Sequence, residues 1–339
     1  MVVAFSDVLE IINGRNQKGV ESSAGQYPIY GSGGIMGRAT RFLCPPNTVV
    51  IGRKGSINKP LYIEEPFWNV DTAFGLVPDQ TKLLPRYLFY FCRYFDFEKL
   101  NTTVTIPSLT KANLLNIQIK LPSLGEQQYI VNTLNSINTL VGKREEEIKN
   151  FDNLIKARFV EMFGKADSNT RHYPVKPLSK ISEYWNGLTY KPSDVVDGDN
   201  GTLVLRSSNI QNGSLSFDDN VFVNCYIKEK QYVKENDILM CSRNGSARLV
   251  GKVALIKGIE KPTSFGAFMM IIRSPYFSYL KVFFETQAFR SQLATGTTTI
   301  NQITGNMLNN VMLPVPDIEA VKEFEKYVEQ VDKSKVVEV

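Results

Sequence analysis

SLGEQQYIVNTLNSINTLVGKREEEIKNFDNLIKARFVEMFG, residues 123–164, carries one unbroken pattern from end to end. Ser123 followed by Glu126 is a capping box, two side chains that satisfy the free backbone donors at the start of a helix. Gly164 stands where a helix would stop, directly after Met162 and Phe163. Between these signals the residues Ile130, Leu134, Ile137, Val141, Arg144, Ile148, Phe151, Ile155, Arg158 and Met162 recur at alternating spacings of four and three. That is a period of about 3.5, the signature of a coiled-coil seam rather than of a helix lying on a globular core. About 40 helical residues at 1.5 Å each predict a rod on the order of 60 Å. Arg144 and Arg158 interrupt the seam. They either set register against a partner's carboxylates or snorkel out to water.

A long helix with one apolar stripe needs a partner to be stable. The end of the chain offers one: Asp317 suits a helix start, and Val321, Phe324 and Val328 continue the same spacing. The expectation is an antiparallel pair of helices bracing two globular ends.

Working outward, the two flanks of this stretch resemble each other. Asn13-Gly14 returns as Asn186-Gly187, Arg53-Lys54-Gly55-Ser56 as Arg243-Asn244-Gly245-Ser246, and Phe74-Gly75 as Phe265-Gly266. Tyr87-Leu88 returns as Tyr279-Leu280, Thr105-Ile106 as Thr299-Ile300, and Pro122 as Pro316. Matches that keep their order indicate a duplicated unit. Each copy reads as α/β (α+β): β-branched runs such as Thr48–Ile51, Leu203–Leu205, Val253–Ile256 and Phe268–Ile272 alternate with turn signals. An amphipathic helix follows near Pro85–Leu100 and Tyr279–Leu293. A polar loop and a short apolar strand, Ile117–Leu121 or Val311–Leu313, close each copy. The organisation predicted is a first globular domain at 1–122, a central spacer helix at 123–164, a second globular domain at 165–316 and a C-terminal helix at 317–339.

Composition agrees with two domains: 339 residues, 43% hydrophobic and 22% charged. A net charge of +5 permits a nucleic-acid partner without requiring one. Cys44, Cys92, Cys225 and Cys241 form no C-x-x-C pair, which fits reduced thiols in a cytoplasm better than disulfides or zinc. The opening MVVAFSDVLE lacks the pattern of a signal peptide, and no run of about 18 apolar residues offers a membrane span.

Catalytic chemistry is hard to assemble from this inventory. The one histidine, His172, lies in a predicted loop, and no metal, phosphate or cofactor of the chain's own is expected. No phosphate loop, nucleophile elbow or dinucleotide fingerprint occurs. Gly31-Ser32-Gly33-Gly34 reads as a tight turn. Cys44-Pro45-Pro46-Asn47 lacks the flanking residues of an amino-methyltransferase.

What each copy does carry is polar loops suited to DNA. Arg53, Lys54, Ser56, Asn58 and Lys59 in the first correspond to Arg243, Asn244, Ser246 and Arg248 in the second. Arg and Lys contact phosphate or the acceptor edge of guanine, and Asn suits adenine. A second loop supplies Thr103, Thr105, Ser108, Thr110 and Lys111, with Thr298, Asn301 and Gln302 as its counterpart. Arg206, Ser208 and Asn209 form a third candidate.

Several stretches together resemble the specificity subunits of type I restriction-modification enzymes. They are Tyr27-Pro28-Ile29-Tyr30-Gly31-Ser32-Gly33-Gly34-Ile35, Ile51-Gly52-Arg53-Lys54-Gly55-Ser56 and Trp68-Asn69-Val70-Asp71-Thr72-Ala73-Phe74. Ile106-Pro107-Ser108-Leu109-Thr110 and Leu121-Pro122-Ser123-Leu124-Gly125-Glu126-Gln127-Gln128 complete the set. The resemblance implies two target-recognition domains, each reading half of a split double-stranded DNA site, with the helices between them acting as a ruler. It implies a non-catalytic scaffold for two modification subunits, which methylate adenine with S-adenosylmethionine, and for restriction subunits that use ATP and Mg. The C-terminal helix, about half the length of the first, departs from the family pattern and leads us to expect a short or truncated form. Two other readings stay open: an inhibitory or unpartnered specificity subunit, and a stand-alone sequence-specific DNA-binding regulator.

Overall fold

The computed structural model describes residues 1–54, 56–100, 108–293 and 301–335. The chain divides into two compact units, Met1–Arg144 and Glu145–Val339.

The first unit contains strands β1 (Val2–Ala4), β2 (Leu9–Asn13), β3 (Tyr27–Gly31), β4 (Gly34–Ala39) and β5 (Thr48–Gly52). They are followed by β6 (Leu61–Ile63), β7 (Trp68–Asn69), β8 (Ala73–Pro78) and β9 (Gln118–Lys120). Helices α1 (Pro85–Tyr94) and α2 (Lys111–Leu115) separate β8 from β9. An antiparallel sheet of order β2-β8-β5-β6 forms the centre. Its strand β5 reads Thr-Val-Val-Ile-Gly and is buried throughout, because both faces are covered. Val49 and Ile51 pack with Leu88 and Cys92 of α1, while Val50 packs with Cys44 and Phe67. A smaller sheet, β4-β3-β7, pairs β3 with β7 in parallel. Ser32 and Gly33 make the tight turn between β3 and β4, as expected, with Gly34 at φ +120°.

The second unit repeats this plan. Its strands are β10 (Val175–Pro177), β11 (Glu183–Asn186), β12 (Val195–Val196), β13 (Thr202–Leu205), β14 (Ile210–Gln211) and β15 (Ser214–Leu215). Then come β16 (Phe222–Val223), β17 (Ile238–Cys241), β18 (Val253–Leu255), β19 (Thr263–Phe265), β20 (Met269–Arg273) and β21 (Met312–Pro314). The central sheet is β11-β20-β17-β18, and β13 pairs with β19 in parallel. Helices α4 (Phe277–Phe284), α5 (Gln287–Leu293) and α6 (Gly305–Asn309) stand after β20. The long α3 (Leu124–Phe163) begins in the first unit, and α7 (Ile318–Lys335) closes the second.

The duplication extends to single hydrogen bonds. Tyr87 Oη donates to the carbonyl of Lys120 at 2.9 Å, and Tyr279 Oη to that of Pro314 at 2.7 Å. Thr110 caps α2 and Thr304 caps α6, each accepting from the amide three residues on. Gly14 and Gly187 explain their own recurrence. A Cβ on Gly14 would lie 1.7 Å from the carbonyl oxygen of Val70, and one on Gly187 would lie 2.1 Å from that of Phe265. Only glycine lets the two backbone segments come this close.

Two of the sequence correspondences need correction. Phe74 lies in β8, opposite Asn13, and its counterpart opposite Asn186 is Met270; Phe265 belongs to β19. The amide of Arg53 donates to the carbonyl of Thr72, and the amide of Ser242 to that of Phe268. The bridges Lys54–Ser108 and Arg243–Gln302 follow one residue later. Register therefore aligns Lys54, not Arg53, with Arg243.

Helix α3 begins and ends where the local signals put it. The Ser123 amide and hydroxyl donate to Glu126 at 2.8 and 2.7 Å, and Gly164 sits at φ +75°. The seam behaves differently from the expectation. The buried residues of α3 are Gln127 and Val131 near its start and Phe159 and Phe163 at its end; Gln127 is in phase with the 3.5-residue stripe, and the other three lie one position beside it. Ile130, Leu134, Arg144, Phe151, Ile155, Arg158 and Met162 are half-buried, and Ile137, Val141 and Ile148 are exposed. Each end of the helix is thus set by the core it touches. Within the second unit α7 runs antiparallel to the end of α3. Arg158 pairs with Glu323 at 3.0 Å and Asp152 with Lys335 at 2.8 Å. Val321 and Phe324 are buried with Phe159 and Phe163, and Val328 packs against them. Arg158 therefore faces carboxylates, the first of its two sequence alternatives.

Candidate nucleic-acid interface

In the second unit three polar loops converge on a cleft of about 1100 Å³ whose lining includes Arg206, Ser208, Arg243, Asn244, Phe268 and Asn301. The loop after β17 and the loop before α6 are joined by the Arg243–Gln302 bridge, and the Ile303 amide donates to the carbonyl of Ser242 at 2.7 Å. The loop after β13 is joined to them by Asn244, whose Nδ2 donates to Ser207 Oγ at 3.0 Å. Asn244 Oδ1 meanwhile accepts from the Ser246 amide, so this side chain shapes the turn.

Arg243 is differently disposed. Its guanidinium lies 5.4 Å from the centre of the Phe268 ring, which is 59% exposed. This arrangement holds the charge at the mouth of the cleft without neutralising it. Arg206 is paired with Asp219 at 2.8 Å, which reduces the charge it can offer. Ser208 Oγ and Arg206 Nε are buried and have no hydrogen-bond partner among the described residues, as befits groups that a ligand or water completes. Asn209 is fully buried: it accepts from the Arg206 amide and donates to the carbonyl of Ser216. It builds the loop and offers nothing to a ligand. Ser246 and Arg248 are exposed around the short turn Ala247–Leu249, and Asn301 and Gln302 are also exposed.

The first unit brings equivalent loops together. Lys54 bridges to Ser108, and the Leu109 amide donates to the carbonyl of Arg53 at 3.0 Å. Arg53, Lys54, Ser56 and Lys59 are exposed, and Arg53 lies 5.8 Å from the ring of Phe74. Lys111 is half-buried in the first turn of α2. Asn58 and Thr110 have structural work: Asn58 accepts from the Phe97 amide at 2.8 Å, and Thr110 caps α2. Thr103, Thr105 and Thr298 lie outside the described residues.

Two contributors escaped sequence reading. The β3–β4 turn belongs to this site, since a Cβ on Gly52 would lie 2.9 Å from Cβ of Ser32 and 2.7 Å from the carbonyl of Ser56. Phe268 was placed inside a strand, but β20 begins at Met269 and leaves the ring outside. The small residues before it, Gly266-Ala267, were the available signal.

Among the described residues there is no cluster of metal-ligating side chains, and no helix is long and apolar enough to cross a membrane. Residues 1–150 match the model of the type I restriction modification DNA specificity domain. The chain is 28% identical over 171 residues to the type I restriction enzyme StySPI specificity subunit of Salmonella potsdam, covering 47% of this chain and 37% of that one. It is 27% identical over 173 residues to the EcoKI specificity subunit of Escherichia coli K12, covering 48% and 37%. The matches thus span little more than a third of the length of these curated relatives. The crystal structure of a type I restriction-modification S subunit from M. genitalium shares the fold, with a TM-score of 0.52 at 15% identity over 99% of this chain and 91% of that one. Residues 1–150 thus carry a type I restriction modification DNA specificity domain, and the chain is similar to the specificity subunits of type I restriction-modification enzymes.

Proposed function

We propose that the chain reads a bipartite double-stranded DNA target, one half-site per unit, and does so without catalysing a reaction itself. The observation that carries this is the repeated joining of two polar loops, by Lys54–Ser108 in one unit and Arg243–Gln302 in the other. A loop pair held by a backbone bridge presents its side chains at a fixed spacing, which base-edge recognition requires. In this reading α3 sets the number of base pairs between the half-sites. The chain scaffolds two adenine-modifying methyltransferase subunits and restriction subunits in the cytoplasm. S-adenosylmethionine, ATP and Mg belong to those partners.

The test is selection from a random duplex pool, with the chain alone and with a modification subunit. The expected product is two short base clusters separated by a constant gap, and inserting one heptad into α3 shifts that gap. A single contiguous motif, or a gap indifferent to helix length, would overturn the reading. Site-specific binding by the isolated chain with no affinity for a modification subunit would support a stand-alone regulator instead.

A further inference from the structure

One turn is built twice in this chain, with different residues at its tip. In the first unit Val70-Asp71-Thr72-Ala73 is closed by the Ala73 amide, which donates to the carbonyl of Val70 at 3.0 Å. In the second, Gly266-Ala267-Phe268-Met269 is closed by the Met269 amide, which donates to the carbonyl of Gly266 at 2.8 Å. Each turn is tied to an equivalent strand: the Val70 amide donates to the carbonyl of Tyr30 in β3, and the Gly266 amide to that of Leu205 in β13. Each is also fastened to the joined loops, the carbonyl of Thr72 accepting from the Arg53 amide at 2.7 Å and that of Phe268 from the Ser242 amide at 2.9 Å. Thr72 and Phe268 therefore hold one position of the repeat.

The aromatic ring is not needed to make the turn, since the first unit makes it with a threonine. Phe268 is nonetheless held fast: its carbonyl accepts two further hydrogen bonds, from the Ser242 hydroxyl at 2.9 Å and the Arg243 amide at 3.1 Å. The ring itself remains 59% exposed. A lone exposed apolar side chain is ordinary on a protein surface. What sets this one apart is its place, for it lines the cleft of about 1100 Å³ together with Tyr190, Arg206, Ser208, Arg243 and Asn301. It is a large apolar surface on a fixed backbone, set among polar side chains inside the site proposed for DNA.

We infer that Phe268 reads the 5-methyl group of a thymine. Among the groups that base pairs present in the major groove, that methyl is the apolar one, and phenylalanine is among the side chains that contact it. The neighbouring guanidinium fixes where this thymine stands. Arg243 lies 5.4 Å from the ring centre, and successive bases on a strand rise by about 3.4 Å, so the thymine is within about two steps of the base that Arg243 reads. The cleft also argues against the other use of an exposed aromatic, as a wedge between base pairs. A wedge protrudes, whereas this ring forms part of a concave wall. The inference rests on the DNA reading proposed above and adds one base to it.

The test replaces each thymine of the selected target, one at a time, by deoxyuridine, which loses the methyl and keeps every hydrogen-bonding group. Binding of the full chain is measured by anisotropy in the state, alone or with a modification subunit, in which it selected the target. One position is expected to lose about fourfold in affinity, the worth of one buried methyl-sized group. In Phe268→Ala that same replacement has no effect, because the contact is already gone. Phe268→Ser, small and polar like the threonine of the first unit, gives the same result should a thermal melt show the alanine variant unfolded. Uracil felt equally with and without Phe268, or felt nowhere, overturns the inference while leaving bipartite recognition standing. So does an affinity loss in Phe268→Ala that is the same for every duplex and accompanied by reduced DNA bending in a permuted-site gel, which would make the ring a wedge. Failure to select any bipartite site defeats the underlying DNA reading as well.

Discussion

Arg243→Ala separates reading from folding in the second unit. The guanidinium lies over an exposed ring, and no carboxylate pairs with it among the described residues. Its removal costs the fold no more than an exposed cation–π contact, about 0.5–1 kcal/mol, and strands no buried charge. In complex with DNA, a bidentate arginine–guanine contact is worth about 1–3 kcal/mol, or roughly 5- to 150-fold in affinity. Arg206→Ala costs binding less, because Asp219 already offsets that charge at 2.8 Å. The assay is competition between a full target and duplexes with one half-site scrambled, repeated over a series of salt concentrations. The expected result is lost discrimination at one half-site, intact discrimination at the other and an unchanged salt dependence. A uniform loss for all sequences, with the log–log salt slope reduced by about 0.9, would make Arg243 a phosphate contact. An unchanged affinity for the target would remove it from the interface altogether.

Phe159→Ala destabilises the second unit by about 3–5 kcal/mol in urea unfolding, whereas exposed Ile137→Ala costs less than about 1 kcal/mol; equal losses would restore the continuous seam. Gly187→Ala costs about 1–3 kcal/mol from the clash with the Phe265 carbonyl, while Gly245→Ala, with nothing near its Cβ, leaves the thermal midpoint unchanged. Asp237→Asn, which removes the buried charge and one of two acceptors from the pair with the partly exposed Arg273 at 2.7 Å, costs about 1.5–3 kcal/mol, and an unchanged urea midpoint would show that the pair is dispensable. The Ser123 hydroxyl and amide hold the Glu126 carboxyl below the ordinary carboxylate range, so its capping is present at neutral pH and fades as pH falls through that lowered value. Carboxyl chemical shifts followed by NMR check this titration, and a Ser123→Ala variant, which keeps the amide donor, moves it part of the way back towards the ordinary range.

Features set by local chemistry were legible in the residues. Ser123, Glu126 and Gly164 bound a helix because caps act within one turn. Asn13-Gly14 and Asn186-Gly187 announced the repeat because no other side chain fits beside the carbonyls they approach. The partner of a hydrophobic face was not legible. A 3.5-residue stripe on α3 predicts a mate all along the helix, but its ends answer to two different cores, and the buried Val131 and Phe159 lie off the stripe. Polar side chains posed the same problem in another form. Asn and Thr serve both as turn-formers and as DNA contacts, and only geometry assigned Asn58, Thr110, Asn209 and Asn244 to the former. The shared Arg-x-Gly-Ser pattern hid a register one residue away, where Lys54 and Arg243 hold the same bridging position.

The distribution of identity between the two units bears directly on the target. Positions that agree are those whose backbone surroundings leave no choice: Gly14 with Gly187, Tyr87 with Tyr279, Thr110 with Thr304. Positions around the joined loops do not agree. Lys54 faces Arg243 across the repeat, Ser108 faces Gln302, and the small turn at Ser32 and Gly33 stands where the larger loop of Arg206 and Ser208 lines a cleft. Lysine is a point charge on a flexible stem, whereas arginine is a planar fork that matches two acceptors at once. If both loop pairs read bases, they read different ones, so the two half-sites are unequal and the whole target lacks two-fold symmetry. On the proposed reading, substitutions confined to the bridged loops would alter the bases read at one half-site while leaving the sheets, the caps and α3 untouched.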